Sequence, residues 1–282
     1  MATTTLDTTA PAPAALPPAT RPAGLGGALR SEWTKLRTVR STGYSLLAMA
    51  VIALGLMSLI AWATMNRWPR LEPSDRLDLT AHPLDVILVR PVFVCQLVVA
   101  VLGVMVISAE YTTGMIRSTL QAQPRRLTVL IAKVAVFAAL MVVVGELLSF
   151  AAYFIGRPII APHIPVALGD PGVTRAVVGA GLYLAVLGLF ALAFGAILRH
   201  TAGAITAVLG LVLVLSNLTG LLPDSWGRHI NAWMPTNAGA LIMQTKPAPD
   251  DLLSAGQGLA VFAGWTALLL IIAAVLFVKR DA

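Results

Sequence analysis

Six long apolar runs dominate this chain, at 44–64, 91–108, 127–155, 176–198, 203–222 and 259–278. A helix needs about 20 apolar residues to cross about 30 Å of hydrocarbon, and each run is near or above that length. Backbone groups in lipid must be satisfied within the segment, so the runs are predicted to be helices, and the period-two alternation of an outer-membrane barrel is absent. Composition points the same way: 57% of the residues are hydrophobic and 12% are charged, against roughly 25% charged in an average soluble domain. A soluble fold of this size could not hide so much apolar surface. The expected fold class is therefore an all-α polytopic membrane protein with six transmembrane helices. Soluble enzymes, disordered hubs and disulfide-stapled modules are excluded. The one cysteine, Cys95, lies in an apolar run and reads as a small apolar filler.

Residues 1–27 are rich in Thr, Pro and Ala and lack the basic and apolar regions of a signal peptide, so a disordered tail is expected there, with the transmembrane helical body over 28–282. In the stretch LRSEWTKLRTVRS (29–41), Leu29, Trp33, Leu36 and Val39 recur at helical spacing, between Arg30, Lys35, Arg37 and Arg40. That pattern predicts an amphipathic helix lying on the membrane surface, its cations toward lipid phosphates. Of the 20 Lys and Arg, 12 fall in the segments assigned inside and 8 in the longer outer loops, while eight of the 13 acidic residues fall outside. Basic residues stay on the cytoplasmic side, so both termini are expected inside. The net charge of +7 is read as membrane topology, since no nucleic-acid-binding pattern accompanies it. Trp62, Trp68, Trp226 and Trp233 then mark the outer boundary.

The most informative polar stretch is EYTTGMIRSTLQAQPRR (110–126), between the second and third runs. Gly114 breaks the helix leaving the membrane, and Thr113 is expected to cap a short new one. Met115, Ile116, Thr119 and Leu120 would form its apolar face, Arg117 and Gln121 would stay polar, and Pro124 would end it. A short mixed-face helix between two spans suits docking on a cytoplasmic partner, although a plain connecting loop has the same composition. No GxxxxGK[ST] phosphate loop occurs, so nothing here would cradle a nucleotide.

Glu146 lies inside the third run, where a carboxylate costs a few kcal/mol unless it is neutralised or partnered. It reads either as an ion site, the basis of a gradient-driven transporter, or as a residue facing a polar cavity. Gly181, Gly188 and Gly195 in the fourth run suit close helix packing. Thr206, Ser216, Asn217 and Thr219 are the polar set of the fifth, and they read as path lining or as interhelical bonding. The four histidines show no metal-ligand spacing, so no metal site is expected.

SEWTKLRTVRS before the first run, ISAEYTTGMIRSTL followed by PRRLTVLIAK, the MPTNAGAL segment and the VKRDA tail resemble permease subunits of bacterial type-2 ATP-binding-cassette transporters, from about Leu29 to the C-terminus. The resemblance implies a coupling helix at 110–126, with Glu110, Tyr111, Gly114, Met115, Ile116, Arg117 and Leu120 at the ATPase contact. It implies a connecting helix containing Arg30, Glu32, Trp33, Lys35, Leu36 and Arg37. It further implies a plasma-membrane exporter of two permease chains and two separate ATPase chains. ATP and magnesium would be held by the ATPase and no cofactor by this chain, with Glu146, Thr206, Ser216 and Asn217 as candidates for the path. A gradient-driven transporter and a non-transporting membrane subunit are the alternatives.

Overall fold

The computed structural model describes residues 24–38 and 40–280. Most of the expected tail (1–23), and Val39 of the amphipathic stripe, lie outside the described residues. The described chain is helical throughout, without a strand. Six helices are long and apolar enough to cross a membrane, which makes this a multi-pass α-helical membrane protein.

The chain opens with α1 (Leu25–Thr38), followed by α2 (Arg40–Arg67), which forms span one. A short α3 (Pro73–Ala81) lies at the far end of the bundle. Span two begins with a π turn (Asp85–Val89) and continues as α4 (Arg90–Thr112). Pro91 has no N–H for the carbonyl of Ile87 and its ring crowds that carbonyl, which accounts for the widened turn. Next come α5 (Met115–Ala122), α6 (Arg126–Ile160, span three) and α7 (Val173–Leu198, span four). Span five is α8 (Thr201–Leu209), a second π turn (Gly210–Leu215) and α9 (Ser216–Leu218). Two short helices, α10 (Asp224–Trp233) and α11 (Pro235–Ala240), precede α12 (Ala255–Lys279, span six).

The spans extend beyond the apolar runs because flanking polar residues continue each helix: span three runs over 126–160 rather than 127–155. Helix α7 is the centre of the bundle, packed against α4, α6, α8 and α12. Its glycines make this possible. A Cβ on Gly103 of α4 would strike the Gly188 carbonyl, and one on Gly145 of α6 would come within 2.6 Å of the Gly181 carbonyl oxygen. Small residues here bring helix backbones together. Between the same two helices, Ser149 Oγ donates to the Val177 carbonyl. The other spans present apolar side chains outward, including Leu47, Val51, Leu59 and Leu147, as lipid-facing helices do.

The segment expected to be an outer loop (223–258) folds back onto the bundle. Trp265 Nε1 donates to the Trp233 carbonyl at 3.1 Å, and Trp265 is ten residues into α12, about 15 Å along it at 1.5 Å per residue. Asn237 Nδ2 donates to the Ser216 carbonyl at 3.0 Å, and Gly258 admits the Ala238 carbonyl. Pro235, Thr236, Ala238 and Gly239 of MPTNAGAL are thus buried in a short helix, because its small residues fit against α12 and its polar ones find partners.

At the opposite end, α1 lies against α6, and Arg126 donates to the Arg280 carbonyl at 2.7 Å. Both ends of the described chain therefore sit at one end of the bundle.

Candidate functional site

The site is assembled where α1, α4, α5 and α6 meet. Gly114 ends span two with φ of +72°, a left-handed conformation that glycine adopts without a Cβ penalty. This breaks the helix, and α5 starts at the next residue. Thr113 does not cap α5: its hydroxyl donates back to the Ala109 carbonyl at 2.8 Å, as serine and threonine do at helix ends when the preceding turn supplies an acceptor. Ile116 is 3% exposed and joins the core; Leu120 is half-buried against that core, while Met115 and Arg117 are exposed.

Helix α1 spans Leu25–Thr38 rather than 29–41, since Leu25 to Ala28 are themselves helical. Its burial differs from the stripe reading. Leu29, Arg30 and Trp33 border a surface hollow beside Ala135, Val136 and Ala139 of α6, and Trp33 remains 48% exposed. Leu36 is half-buried, and Arg30 and Arg37 are exposed. The buried residues of α1 are Ala28 and Glu32. Lys35, expected to face lipid phosphates, turns inward instead.

The reason is an ion-pair cluster. Lys133 of α6, with its side chain 4% exposed, donates to Glu32 Oε2 at 2.6 Å and to Glu110 Oε1 at 2.7 Å. Lys35 donates to Glu32 Oε1 at 2.7 Å, to Glu110 Oε1 at 3.1 Å and to Thr119 Oγ1 of α5 at 3.1 Å. Two carboxylates and two ammoniums thereby join α1, the end of α4, α5 and the start of α6. Burial alone would lower the pKa of Lys35; the Glu32 hydrogen bond and the charges of Glu110 and Glu32 outweigh it and hold the ammonium above the usual lysine value.

The depth of the cluster follows from helix length. The 35 residues of α6 make a rod of about 52 Å at 1.5 Å per residue, some 20 Å longer than a hydrocarbon core of about 30 Å. Lys133 lies seven residues after Arg126, about 10 Å along the rod, which is the depth of the boundary for a rod centred on such a core. Lys133 was legible in the sequence only as one more basic residue on that side.

A groove of about 370 Å³ runs between α1 and α5, bordered by Ser31, Met115, Ser118 and Gln123. The amide of Gln123 is buried with neither its nitrogen nor its oxygen hydrogen-bonded among the described residues. Tyr111, at the end of α4, is half-buried, and the Arg199 guanidinium lies 5.0 Å above its ring. Arg199 itself ends α7 with φ of 53°.

The candidate path residues do not converge. Glu146 packs at the α6–α7 seam, where a Cβ on Gly181 would come within 2.6 Å of its Cδ, and both carboxyl oxygens are buried without a partner among the described residues. Thr206 and Asn217 are exposed on span five. Ser216 is buried and bonds Thr236 at 2.8 Å, so it fastens α11 to span five rather than lining an opening. Among the described residues, no group of His, Cys, Asp or Glu is arranged to hold a metal ion.

No protein-family model matches the chain, and no curated protein matches it.

Proposed function

We propose that this chain is the membrane-spanning permease subunit of an ATP-driven transporter of the type-2 ATP-binding-cassette class, with α5 as its coupling helix and α1 as its connecting helix. The observation that supports this most is the buried cluster of Glu32, Lys35, Glu110 and Lys133. Breaking a buried ion pair by removing one partner costs about 3–5 kcal/mol, so the four elements it joins move together. A push on exposed Arg117 and Met115 of α5 is then delivered to spans two and three and to α1, instead of being absorbed by a loose loop. The α1–α5 groove and the unsatisfied Gln123 amide suit a protein surface that brings its own donor and acceptor.

In this reading the partner is a separate cytoplasmic ATPase that binds ATP and magnesium, and two copies of this permease pair in a bacterial plasma membrane. Closure of the ATPase dimer drives the spans between inward- and outward-facing states that differ in access to the substrate. The test is co-expression with a candidate nucleotide-binding ATPase from the same genome, followed by reconstitution. The complex is expected to co-purify and to hydrolyse ATP faster with substrate present. Ile116→Ser/Leu120→Ser is expected to keep the permease in the membrane while abolishing ATP-driven export. Unchanged ATPase binding and export in that variant would refute the role of α5.

The structure supplies one observation for a different class, the unpartnered Glu146 carboxyl. Substrate flux driven by a proton gradient without any ATPase, abolished by Glu146→Gln, would favour that gradient-driven reading.

A further inference from the structure

A pocket of about 200 Å³ opens at the end of the bundle opposite α5, between the last turn of span five, α10, α11 and the loop before α12. Its framework is a pair of asparagines. Asn237 Nδ2 donates to the Ser216 carbonyl at 3.0 Å and to Asn231 Oδ1 at 3.1 Å. Both N–H groups of Asn237 are therefore used, and flipping either amide would set like atoms against each other, so both orientations are fixed. One acceptor, Asn237 Oδ1, and one donor, Asn231 Nδ2, remain. Neither is bonded among the described residues, and neither is sealed inside the protein as the Gln123 amide is.

The other walls decide what these two groups meet. A Cβ on Gly220 would lie 3.6 Å from Asn231 Nδ2 and have no other neighbour within 4 Å, so the glycine leaves the donor uncovered. Leu222 and Leu241 give the pocket an apolar side. Toward solvent, Arg228 and Asp250 are exposed and Asp251 is half-buried. Asp251 Oδ2 accepts from the Ala248 N–H at 2.7 Å, which holds its loop. An anion would meet two carboxylates and a cation would meet Arg228, so a neutral ligand is favoured. That ligand must accept from one fixed amide and donate to the other. Hydroxyls do both, and two neighbouring hydroxyls on one ring satisfy the pair without leaving a polar group unmatched.

We propose that this pocket binds a neutral saccharide. One hydroxyl of a vicinal pair accepts from Asn231 Nδ2, the other donates to Asn237 Oδ1, and a C–H face of the ring rests on Leu222 and Leu241. The site uses none of the residues of the α1–α4–α5–α6 joint and requires no ATPase, so this inference and the coupling reading can fail independently.

The test is saturation-transfer NMR on the purified full chain in nanodiscs, prepared without sugar-headed detergent. The probes are methyl α-glucoside, methyl α-mannoside, methyl α-galactoside and, as a zwitterionic control, glycylglycine. At least one glycoside is expected to take up saturation at its ring protons and to raise the thermal midpoint, and glycylglycine to do neither. Asn231→Asp keeps the oxygen that receives the Asn237 bond and turns the donor into an acceptor, so it should weaken that glycoside at least tenfold. Gly220→Leu, which covers the Asn231 donor and leaves the bonds of Asn237 in place, should abolish binding. Competition by a diacylglycerol carrying the same sugar would identify a lipid headgroup as the source of the saccharide, and no competition a water-soluble one. Binding of no glycoside, equal binding of glycylglycine, or unchanged binding in folded Asn231→Asp and Gly220→Leu chains would overturn the proposal.

Discussion

Replacing Lys133 by methionine removes the ammonium that touches both carboxylates and keeps a side chain of similar length. Glu32 Oε2 then loses its 2.6 Å partner, and Glu110 retains only Lys35, at 3.1 Å. Two carboxylates are left facing one cation in a site where Lys133 was 4% exposed. The expected loss is about 3–5 kcal/mol, the cost of stranding a buried charge. Glu32→Gln alone leaves the opposite imbalance and is expected to cost a similar amount. The double variant restores neutrality, with Lys35 and Glu110 as the remaining pair. It should therefore cost no more than either single change, a coupling energy of at least about 3 kcal/mol. Tryptophan fluorescence through a graded denaturing-detergent titration gives these values, since the chain has 6 tryptophans. Single losses under about 1 kcal/mol, or losses that simply add in the double variant, would show that the charges behave as solvated surface groups and would remove the joint from the account.

Two further predictions concern the same joint. Because Lys35 binds its proton more tightly folded than unfolded, its contribution is complete below the ordinary lysine pKa and is lost as pH rises through the raised one; alkaline melting curves of the wild type should fall more steeply there than those of Lys35→Met, and parallel curves would contradict this. At Gly114, a Cβ meets nothing within 4 Å but the φ is +72°. Gly114→Ala should therefore cost about 1–2 kcal/mol from backbone strain alone, and Gly114→Asn less, as read from thermal midpoints; equal midpoints for all three would refute the strain.

Much of the fold was legible because lipid imposes a simple rule: the six apolar runs became the six long helices, and Gly114 and Pro124 bracketed α5 as composition suggested. The site was only half legible. Glu110, Glu32 and Lys35 were reached through a resemblance, but Lys133 pairs with a residue 101 positions away, and no periodicity encodes such a pairing. On α1 the stripe reading placed Lys35 outward, whereas it turns inward to Glu32 and Glu110, because amphipathic patterns record apolar residues and not which polar one finds a buried partner. The dip of α10 and α11 was missed for a related reason. Small residues such as Gly239 and Ala238 read as loop until the α12 surface that receives them is in view.

The central claim is that α5 is a cytoplasmic handle gripped by an ATPase. Its most direct measurement is labelling of Arg117→Cys with a membrane-impermeant maleimide, the native Cys95 being buried. Reaction in inside-out vesicles, none in intact cells, and protection on adding the ATPase subunit are the predicted results. Reaction from the outside of intact cells would contradict the account.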